Sequence, residues 1–295
     1  MVSETQPSER PAPLIKGYHH KAYPRIDPTR PELSAAGKNV VITGGSAGIG
    51  TEVAIAFAKA GASSVSILGR NEDRLKACAE TIKAARSNAD TKVSYYVADL
   101  NKRGDLDRSM DSIVASAGKI SVFVSNAGEL GPTGALASLN VDQFMSTFDS
   151  NVRGALNAVQ AFLPRASKDA ILINMSTGVA HIAPRPQMAV ISSYAASKAA
   201  NLKMMDWLAA ENPDIFVVNV SPGIVATDMN VKSGVTPQDE IDLPAAFCVW
   251  LASAEARFLK SKFVWANWDV DELMSKAEEI QDSSLFTWMV DGAPM

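Results

Sequence analysis

A short apolar run, followed by a cluster of glycines and then a helix-forming stretch, constrains the fold of this chain most strongly. Residues 38–43 (KNVVIT) are rich in β-branched side chains, which is typical of a buried parallel strand. Residues 44–50 (GGSAGIG) follow directly, and residues 51–60 (TEVAIAFAKA) have a helical composition. Glycines between a strand and a helix let backbone N–H groups approach a phosphate, although glycines alone can simply form a tight turn. In this context they predict a nucleotide-binding unit.

The same alternation of apolar runs and helix-forming stretches continues to residue 269. Alternating strands and helices are typical of a parallel sheet that is covered by helices on both faces. The chain is therefore predicted to be an α/β protein with a doubly wound, Rossmann-type sheet of about seven parallel strands. The predicted strands are residues 38–43, 64–69, 92–98, 120–125, 170–174, 215–220 and 262–266. The predicted helices that bear on the site or the ends are residues 71–87, 141–166, 192–211 and 271–280.

One domain, residues 37–269, is predicted to carry the cofactor site and the catalytic site, with an extension at each end. Residues 1–36 hold six of the fifteen prolines, and their spacing prevents a regular helix or a central strand. Residues 270–295 begin with the predicted helix 271–280 and continue as a tail. This C-terminal extension either closes the hydrophobic core or buries surface against a partner subunit.

Charge and composition argue against several classes of partner. Lys and Arg total 28 against 32 Asp and Glu, a net charge of −4, and no basic stripe indicates nucleic acid. No apolar run is long enough to span a membrane and the N-terminus has no apolar signal core, so we expect a cytoplasmic protein. The two cysteines fit reduced thiols. His19 and His20 have no Cys or carboxylate cluster near them in the sequence, so we expect no metal site.

Tyr194 and Lys198 stand four residues apart in the predicted helix 192–211. Positions i and i+4 share one face of a helix, so an ammonium group would lie beside the phenol. A free tyrosine has a pKa of about 10, and a nearby positive charge lowers that pKa toward neutrality. The pair predicts acid–base catalysis. An ordinary amphipathic helix with an exposed lysine is the alternative.

Taken together, the glycine turn and the Tyr-x-x-x-Lys pair resemble the short-chain dehydrogenase/reductase family, over roughly residues 38–269. Further matches follow in the family's order: Asn-Ala-Gly at 126–128, Asn151, and a Pro-Gly segment at 221–227. The resemblance implies that Asn151 is a catalytic residue together with Tyr194 and Lys198. The prefix and the ending around 263–269 are most similar to filamentous-fungal members, many of which serve secondary metabolism.

The resemblance also implies which residues bind the cofactor and how subunits assemble. A homodimer or homotetramer is the family expectation. Asp99 matches an adenine-contacting aspartate, and without the resemblance it reads equally well as a strand-end turn residue. The implied cofactor-binding residues are Gly44, Ser46, Ala47, Gly48, Ile49, Gly50, Asp99, Leu100, Asn126, Ala127, Gly128, Tyr194, Lys198, Pro222, Gly223, Val225 and Thr227.

The catalytic hydroxyl departs from the family pattern. The family places a Ser-Ser pair at the end of the fifth strand, and the second serine is the functional one. Here Ser176 is followed by Thr177, so Thr177 aligns with the catalytic position and Ser176 remains the other candidate. A threonine keeps the hydroxyl, but its methyl group narrows the pocket. The spacing to Tyr194 is also long, so residues 179–192 are predicted to form an altered substrate wall.

Cofactor choice depends on the end of the second strand. An acidic residue there would accept hydrogen bonds from a ribose 2′-hydroxyl, whereas an arginine can pair with a 2′-phosphate. This chain has Gly69, Arg70 and Asn71 there and no carboxylate before Glu72, which favours NADP(H) over NAD(H). Arg70 could instead cap a helix or pair with Asp73.

These features predict an oxidoreductase that reduces a ketone or aldehyde to an alcohol, or catalyses the reverse, on a small-molecule substrate. Tyr194 would donate or accept the proton, and Asn151 would hold a water that connects Lys198 to solvent. Residues 229–244 would form a mobile cover or a solvated loop. Two other functions remain open: a non-redox cyclase or dehydratase on the same scaffold, and a regulatory protein that senses NADP(H).

Overall fold

The structure is a computed structural model that describes residues 13–184 and 190–289. Seven strands form one parallel sheet in the order β3-β2-β1-β4-β5-β6-β7. The strands are β1 (Asn39–Thr43), β2 (Ser64–Gly69), β3 (Lys92–Val97), β4 (Ile120–Ser125), β5 (Ala166–Met175), β6 (Phe216–Ser221) and β7 (Phe263–Trp265). The strand order reverses between β1 and β4, so a crevice opens there at the carboxyl ends of the strands. The predicted fold class is confirmed.

Helices cover both faces of the sheet, which explains why most of the strands are apolar, whereas the edge strand β3 is half-buried or exposed along its length. The helices are α1 (Gly48–Lys59), α2 (Glu72–Ala85), α3 (Arg103–Ala117), α4 (Val141–Phe148), α5 (Gly154–Phe162), α6 (Ser192–Glu211), α7 (Asp228–Ser233), α8 (Asp242–Leu251), α9 (Val270–Ser275) and α10 (Ala277–Gln281). Successive side chains of β1 point to opposite faces. Val40 and Ile42 join the core beneath α1 and α8, whereas Val41 joins the core beneath α3, α5 and α6.

Several element boundaries differ from the predicted ones. The predicted helix 141–166 is interrupted by a π-helical turn, Asp149–Arg153, and ends at Phe162. Strand β5 begins at Ala166, four residues early, where its register with β4 shifts. The predicted helix 271–280 is two short helices, broken at Lys276.

The segment before β1, residues 13–36, packs along the domain, and we call it the N-terminal strap. Pro24 and Pro31 each begin a single 3₁₀ turn, where the missing N–H of proline costs no hydrogen bond. Ile26 and Leu33 are fully buried in the main core. The strap therefore completes the hydrophobic interior.

The C-terminal segment closes the core around β7. The rings of Trp268 and Phe286 lie 4.6 Å apart, and the Phe263 N–H donates to the Phe286 carbonyl at 2.7 Å. Trp288 is partly exposed. Within residues 13–184 and 190–289, none of the helices combines the length and the apolar character that a membrane span requires.

Candidate active site

A cleft of about 1000 Å³ lies at the carboxyl ends of the strands, at the reversal of strand order. Most of the predicted site residues line it: Gly44, Ser46, Ala47, Gly48, Ile49, Arg70, Asp99, Leu100, Asn126, Ala127, Gly128, Ser176, Thr177, Tyr194, Lys198, Pro222, Gly223, Val225 and Thr227. Gly50 and Asn151 are buried and do not line the cleft. The topology thus brings residues from seven separate segments to one site.

The glycine turn gives the cleft a floor of backbone groups. A Cβ atom on Gly50 would collide with the Gly44 carbonyl oxygen and with the Asn126 amide, so the turn closes tightly. The Asn126 side chain donates to the Thr43 carbonyl at 3.0 Å and anchors the turn to β4. Ala47 precedes α1 and offers no capping side chain. The first N–H groups of α1 are therefore available to an anion, which fits a pyrophosphate.

Tyr194 and Lys198 share one face of α6, as predicted, and both line the cleft. The Lys198 side chain is buried, and its Nζ donates to the Met175 carbonyl at the end of β5 at 2.8 Å. A Cβ on Gly128 would lie 3.4 Å from the Lys198 Nζ, so the lysine passes directly beneath this backbone.

The pKa of Tyr194 shifts in the opposite direction from the predicted one. Burial raises the pKa of Tyr194 to about 12, and the hydrogen bond with the Thr177 side chain lowers it only in part. Burial also lowers the pKa of Lys198 to about 8. The predicted net lowering of the phenol pKa is wrong, because desolvation, which disfavours the phenolate, is the largest effect on Tyr194.

Thr177 and Ser176 have different surroundings at the end of β5. Thr177 is half-buried and lines the cleft, and its hydroxyl lies near enough to the phenol to lower the pKa of Tyr194. Ser176 is buried, its N–H continues the sheet to the Val220 carbonyl, and its Oγ has no partner among the described residues. The hydroxyl beside the phenol is therefore that of Thr177.

Asn151 lies in the π-helical turn between α4 and α5, a type of irregularity that is frequent at functional sites. Its Oδ1 accepts from the Glu129 N–H at 2.8 Å, and its Nδ2 donates to the Glu129 carbonyl and to the Ser197 Oγ. These bonds fix the backbone that follows Gly128 against α6. The water-holding role of Asn151 stays a prediction.

Asn201, which the sequence did not indicate, supports this turn from α6. Its Nδ2 donates to the Asn151 carbonyl at 2.9 Å, and its Oδ1 accepts from Asn174 at 2.8 Å. Asn174 also donates to Asn219 at 2.8 Å. The three amides form a buried chain from β6 through β5 to the π-helical turn. A hydrophobic pattern cannot reveal such a chain, because each member occupies a core position.

Replacing Asn201 with leucine should lower the free energy of unfolding by about 1–3 kcal/mol, because the buried Asn151 carbonyl loses its donor. Urea denaturation measures the change. Asn212→Ala is the matched control, since Asn212 makes a single side-chain bond to the Leu208 carbonyl at the end of the same helix. Equal destabilisation by both variants would contradict a special role for Asn201.

Arg70 forms neither of the two alternative contacts that the sequence left open. Asn71 caps α2 by accepting from the Arg74 N–H at 2.9 Å, so Arg70 is not the cap. The Arg70 guanidinium instead lies 2.8 Å from a carboxylate oxygen of Glu129, and its side chain is 69% exposed. Arg74, which the sequence did not single out, also lines the cleft beside it.

The sequence model of short chain dehydrogenases matches residues 38–237. The chain belongs to the short chain dehydrogenase family. A short chain dehydrogenase/reductase from Claviceps purpurea (strain 20.1) is 34% identical over 273 residues, which cover 90% of this chain and 89% of the relative. The short chain dehydrogenase/reductase nsrO from Aspergillus novofumigatus (strain IBT 16806) is 30% identical, and the match covers 96% of this chain and 97% of that relative.

A solved short chain dehydrogenase from Burkholderia cenocepacia J2315, in complex with NADP, has a TM-score of 0.70 and 27% identity. The match covers 80% of this chain and 99% of that one. The resemblance to the family and to filamentous-fungal members is confirmed. Short chain dehydrogenases are oxidoreductases that bind a nicotinamide cofactor and act on small molecules.

Residues 229–244 of this short chain dehydrogenase, predicted as a mobile cover or a solvated loop, are partly helical. Residues 228–233 form helix α7, which Thr227 caps, and the chain then continues to α8. Met229 and Val235 line the cleft. In the predicted substrate wall, Val179 and Ile191 line the cleft as well, whereas residues 185–189 lie outside the described part of the chain.

Proposed function

We propose that this short chain dehydrogenase is an NADP(H)-dependent oxidoreductase that reduces a ketone or aldehyde carbonyl to an alcohol, or catalyses the reverse. The convergence of Tyr194, Thr177 and Lys198 on the cleft beside the glycine turn carries this proposal. A small-molecule carbonyl or alcohol would be the substrate. The filamentous-fungal origin of the curated relatives supports a role in secondary metabolism.

The residues around the cleft fit a dinucleotide. The N–H groups at the start of α1 would hold the pyrophosphate, and the backbone around Gly128 and the Pro-Gly segment at 222–227 would flank the nicotinamide end. When bound, the nicotinamide supplies or accepts the hydride. Lys198, which already lies beneath Gly128, would bind the adjoining ribose and position it.

The proton would come from Tyr194. The phenol carries its proton at neutral pH, as an ordinary tyrosine with a pKa of about 10 does, and it can therefore act as a general acid. Thr177 and Tyr194 would both donate hydrogen bonds to the substrate oxygen, where negative charge grows during reduction. The charged Lys198 would stabilise the phenolate that remains, because burial lowers the pKa of the lysine only to about 8.

The test is consumption of NADPH on a panel of aliphatic, cyclic and aromatic ketones, followed by identification of the alcohol. Wild-type protein and Tyr194→Phe are run in parallel. Conversion of a substrate without net oxidation of NADPH would instead assign the chain to the non-redox alternatives. Comparison of metabolites with and without the protein would supply the natural substrate.

Arg70→Ala should raise KM for NADPH by about tenfold while leaving KM for NADH nearly unchanged. The reason is that the guanidinium lies at the end of β2, where a 2′-phosphate would bind, and its exposed pair with Glu129 leaves it accessible. Steady-state kinetics with both cofactors measure the ratio. Lys83→Ala is the control. Lys83 is also an exposed cation paired with a glutamate, Glu80, but it lies on α2 away from the cleft. A wild-type preference for NADH would overturn the assignment.

A further inference from the structure

A buried carboxylate joins three distant parts of the chain beside the cleft. Asp239 lies between α7 and α8, and its side chain is 2% exposed. Its Oδ1 accepts from the His20 Nδ1 at 2.6 Å and from the Asn267 Nδ2 at 2.9 Å. Its Oδ2 accepts from the Ile224 N–H at 2.6 Å. Since a carboxylate only accepts, His20 donates in this pair.

Ile224 belongs to the loop at 222–227, which lines the cleft. The Gly223 residue just before it has φ +88°, and a Cβ there would collide with the Asp239 Oδ2. The Asp239 N–H also donates to the Ile224 carbonyl at 3.1 Å. The loop is thus pressed against the carboxylate and shaped by it.

The N-terminal strap reaches the same point from the other side. The Glu240 N–H donates to the His20 carbonyl at 2.7 Å, and the Asn267 amide donates to the His19 carbonyl at 2.9 Å. His20 therefore contacts Asp239 through its side chain and the neighbouring residue through its backbone. None of these strap contacts is part of the cleft lining.

We infer that Asp239 is a positioning residue through which the N-terminal strap holds the loop at 222–227 in its cleft-forming shape. His20 orients the carboxylate, and the carboxylate in turn fixes the Ile224 N–H. The inference rests on the proposed function only for its kinetic consequence, because the loop would flank the nicotinamide end. The geometry of the loop itself is independent of any reaction.

His19 provides a matched control one residue away. Its Nε2 lies 2.9 Å from Asp269, and its ring stacks on Tyr23 with centroids 3.7 Å apart. Asp269 caps α9 by accepting from the Glu272 N–H. This second histidine–aspartate pair also ties the strap to the domain, yet Asp269 bonds to the start of α9 and not to the loop at 222–227.

The experiment compares His20→Ala, His20→Asn and His19→Ala in the full chain by hydrogen–deuterium exchange. His20→Ala should speed exchange of the amides at 224 and 238–240 by about tenfold, since a charge-assisted bond no longer orients the carboxylate. His20→Asn, which keeps a donor, should restore most of the protection. His19→Ala should leave these amides unchanged. Equal exchange in His20→Ala and His19→Ala would overturn the inference.

Steady-state kinetics provide a second measurement, since a purely structural role would not raise KM for NADPH selectively. If the loop is displaced, KM for NADPH should rise several-fold in His20→Ala with kcat changed less, because the proton donor on α6 stays in place. An unchanged KM together with unchanged exchange contradicts the inference. A failure of the proposed function would appear separately, as wild-type activity in Tyr194→Phe with the exchange pattern intact.

Discussion

Replacing Tyr194 with phenylalanine should reduce carbonyl reduction by about 10²–10⁴-fold, the usual contribution of a positioned general acid. The ring and its packing on α6 are retained, so only the hydroxyl is lost. Binding of NADPH should be preserved, because the proposed cofactor contacts come mainly from the glycine turn, Lys198 and the loop at 222–227. Single-turnover rates and NADPH fluorescence titration measure the two effects separately.

Tyr95→Phe is the matched control for that variant. Tyr95 lies on β3, is half-buried against the main core and is not part of the cleft lining. It should keep full turnover. Near-normal activity in Tyr194→Phe would exclude Tyr194 as the proton donor, and loss of cofactor binding in that variant would point to a structural cause.

Thr177→Val should lower kcat by about 10²–10³-fold, which is the effect of removing one hydrogen-bond donor to a developing oxyanion. Valine keeps the β-branched shape and removes only the hydroxyl that contacts Tyr194. Thr177→Ser should retain most activity because it keeps that hydroxyl. Pre-steady-state kinetics with a substrate from the ketone panel provide the measurement.

Ser176→Ala distinguishes the two candidate hydroxyls. The Ser176 Oγ is buried and has no partner among the described residues, so its removal should leave kcat within about twofold and cost little stability. The opposite result, with Ser176→Ala severely impaired and Thr177→Val active, would transfer the catalytic role to Ser176.

Local sequence patterns were sufficient for the sheet and for the helix that carries the catalytic pair. The inner strands are marked by apolar runs because both of their faces are buried, whereas the edge strand β3 is less buried and less apolar. The predicted helix 192–211 coincides with α6, since this 20-residue stretch is rich in helix-forming residues and contains neither proline nor glycine. The glycine turn could also be predicted from the sequence, because few other residues fit so tight a turn.

Features that depend on distant contacts could not be predicted in this way. The π-helical turn at Asn151 depends on bonds to Glu129 and to Ser197, which lies 46 residues further along the chain. The pKa of Tyr194 is set by burial, and burial follows from the complete tertiary structure. The pairing of Arg70 with Glu129 likewise requires β2 and β4 to be assembled at one end of the sheet.

The contact between His20 and the Asp239 carboxylate depends on the largest of these sequence separations. His20 and Asp239 are separated by 219 positions, and no local pattern marks either residue. Two adjacent histidines suggested at most a metal site in the sequence. Each is instead bonded to its own aspartate, and the two aspartates belong to different segments.

The burial of Ile26 and Leu33 bears on how far the N-terminus of the protein can be truncated. The family region begins at residue 38, and a version cut there would lose two side chains that are fully enclosed in the main core. Removing these side chains would also expose apolar surface on α1 and α8. An exposed apolar surface of this kind promotes aggregation. We therefore expect a version that begins at residue 38 to be less stable than the chain that keeps the strap.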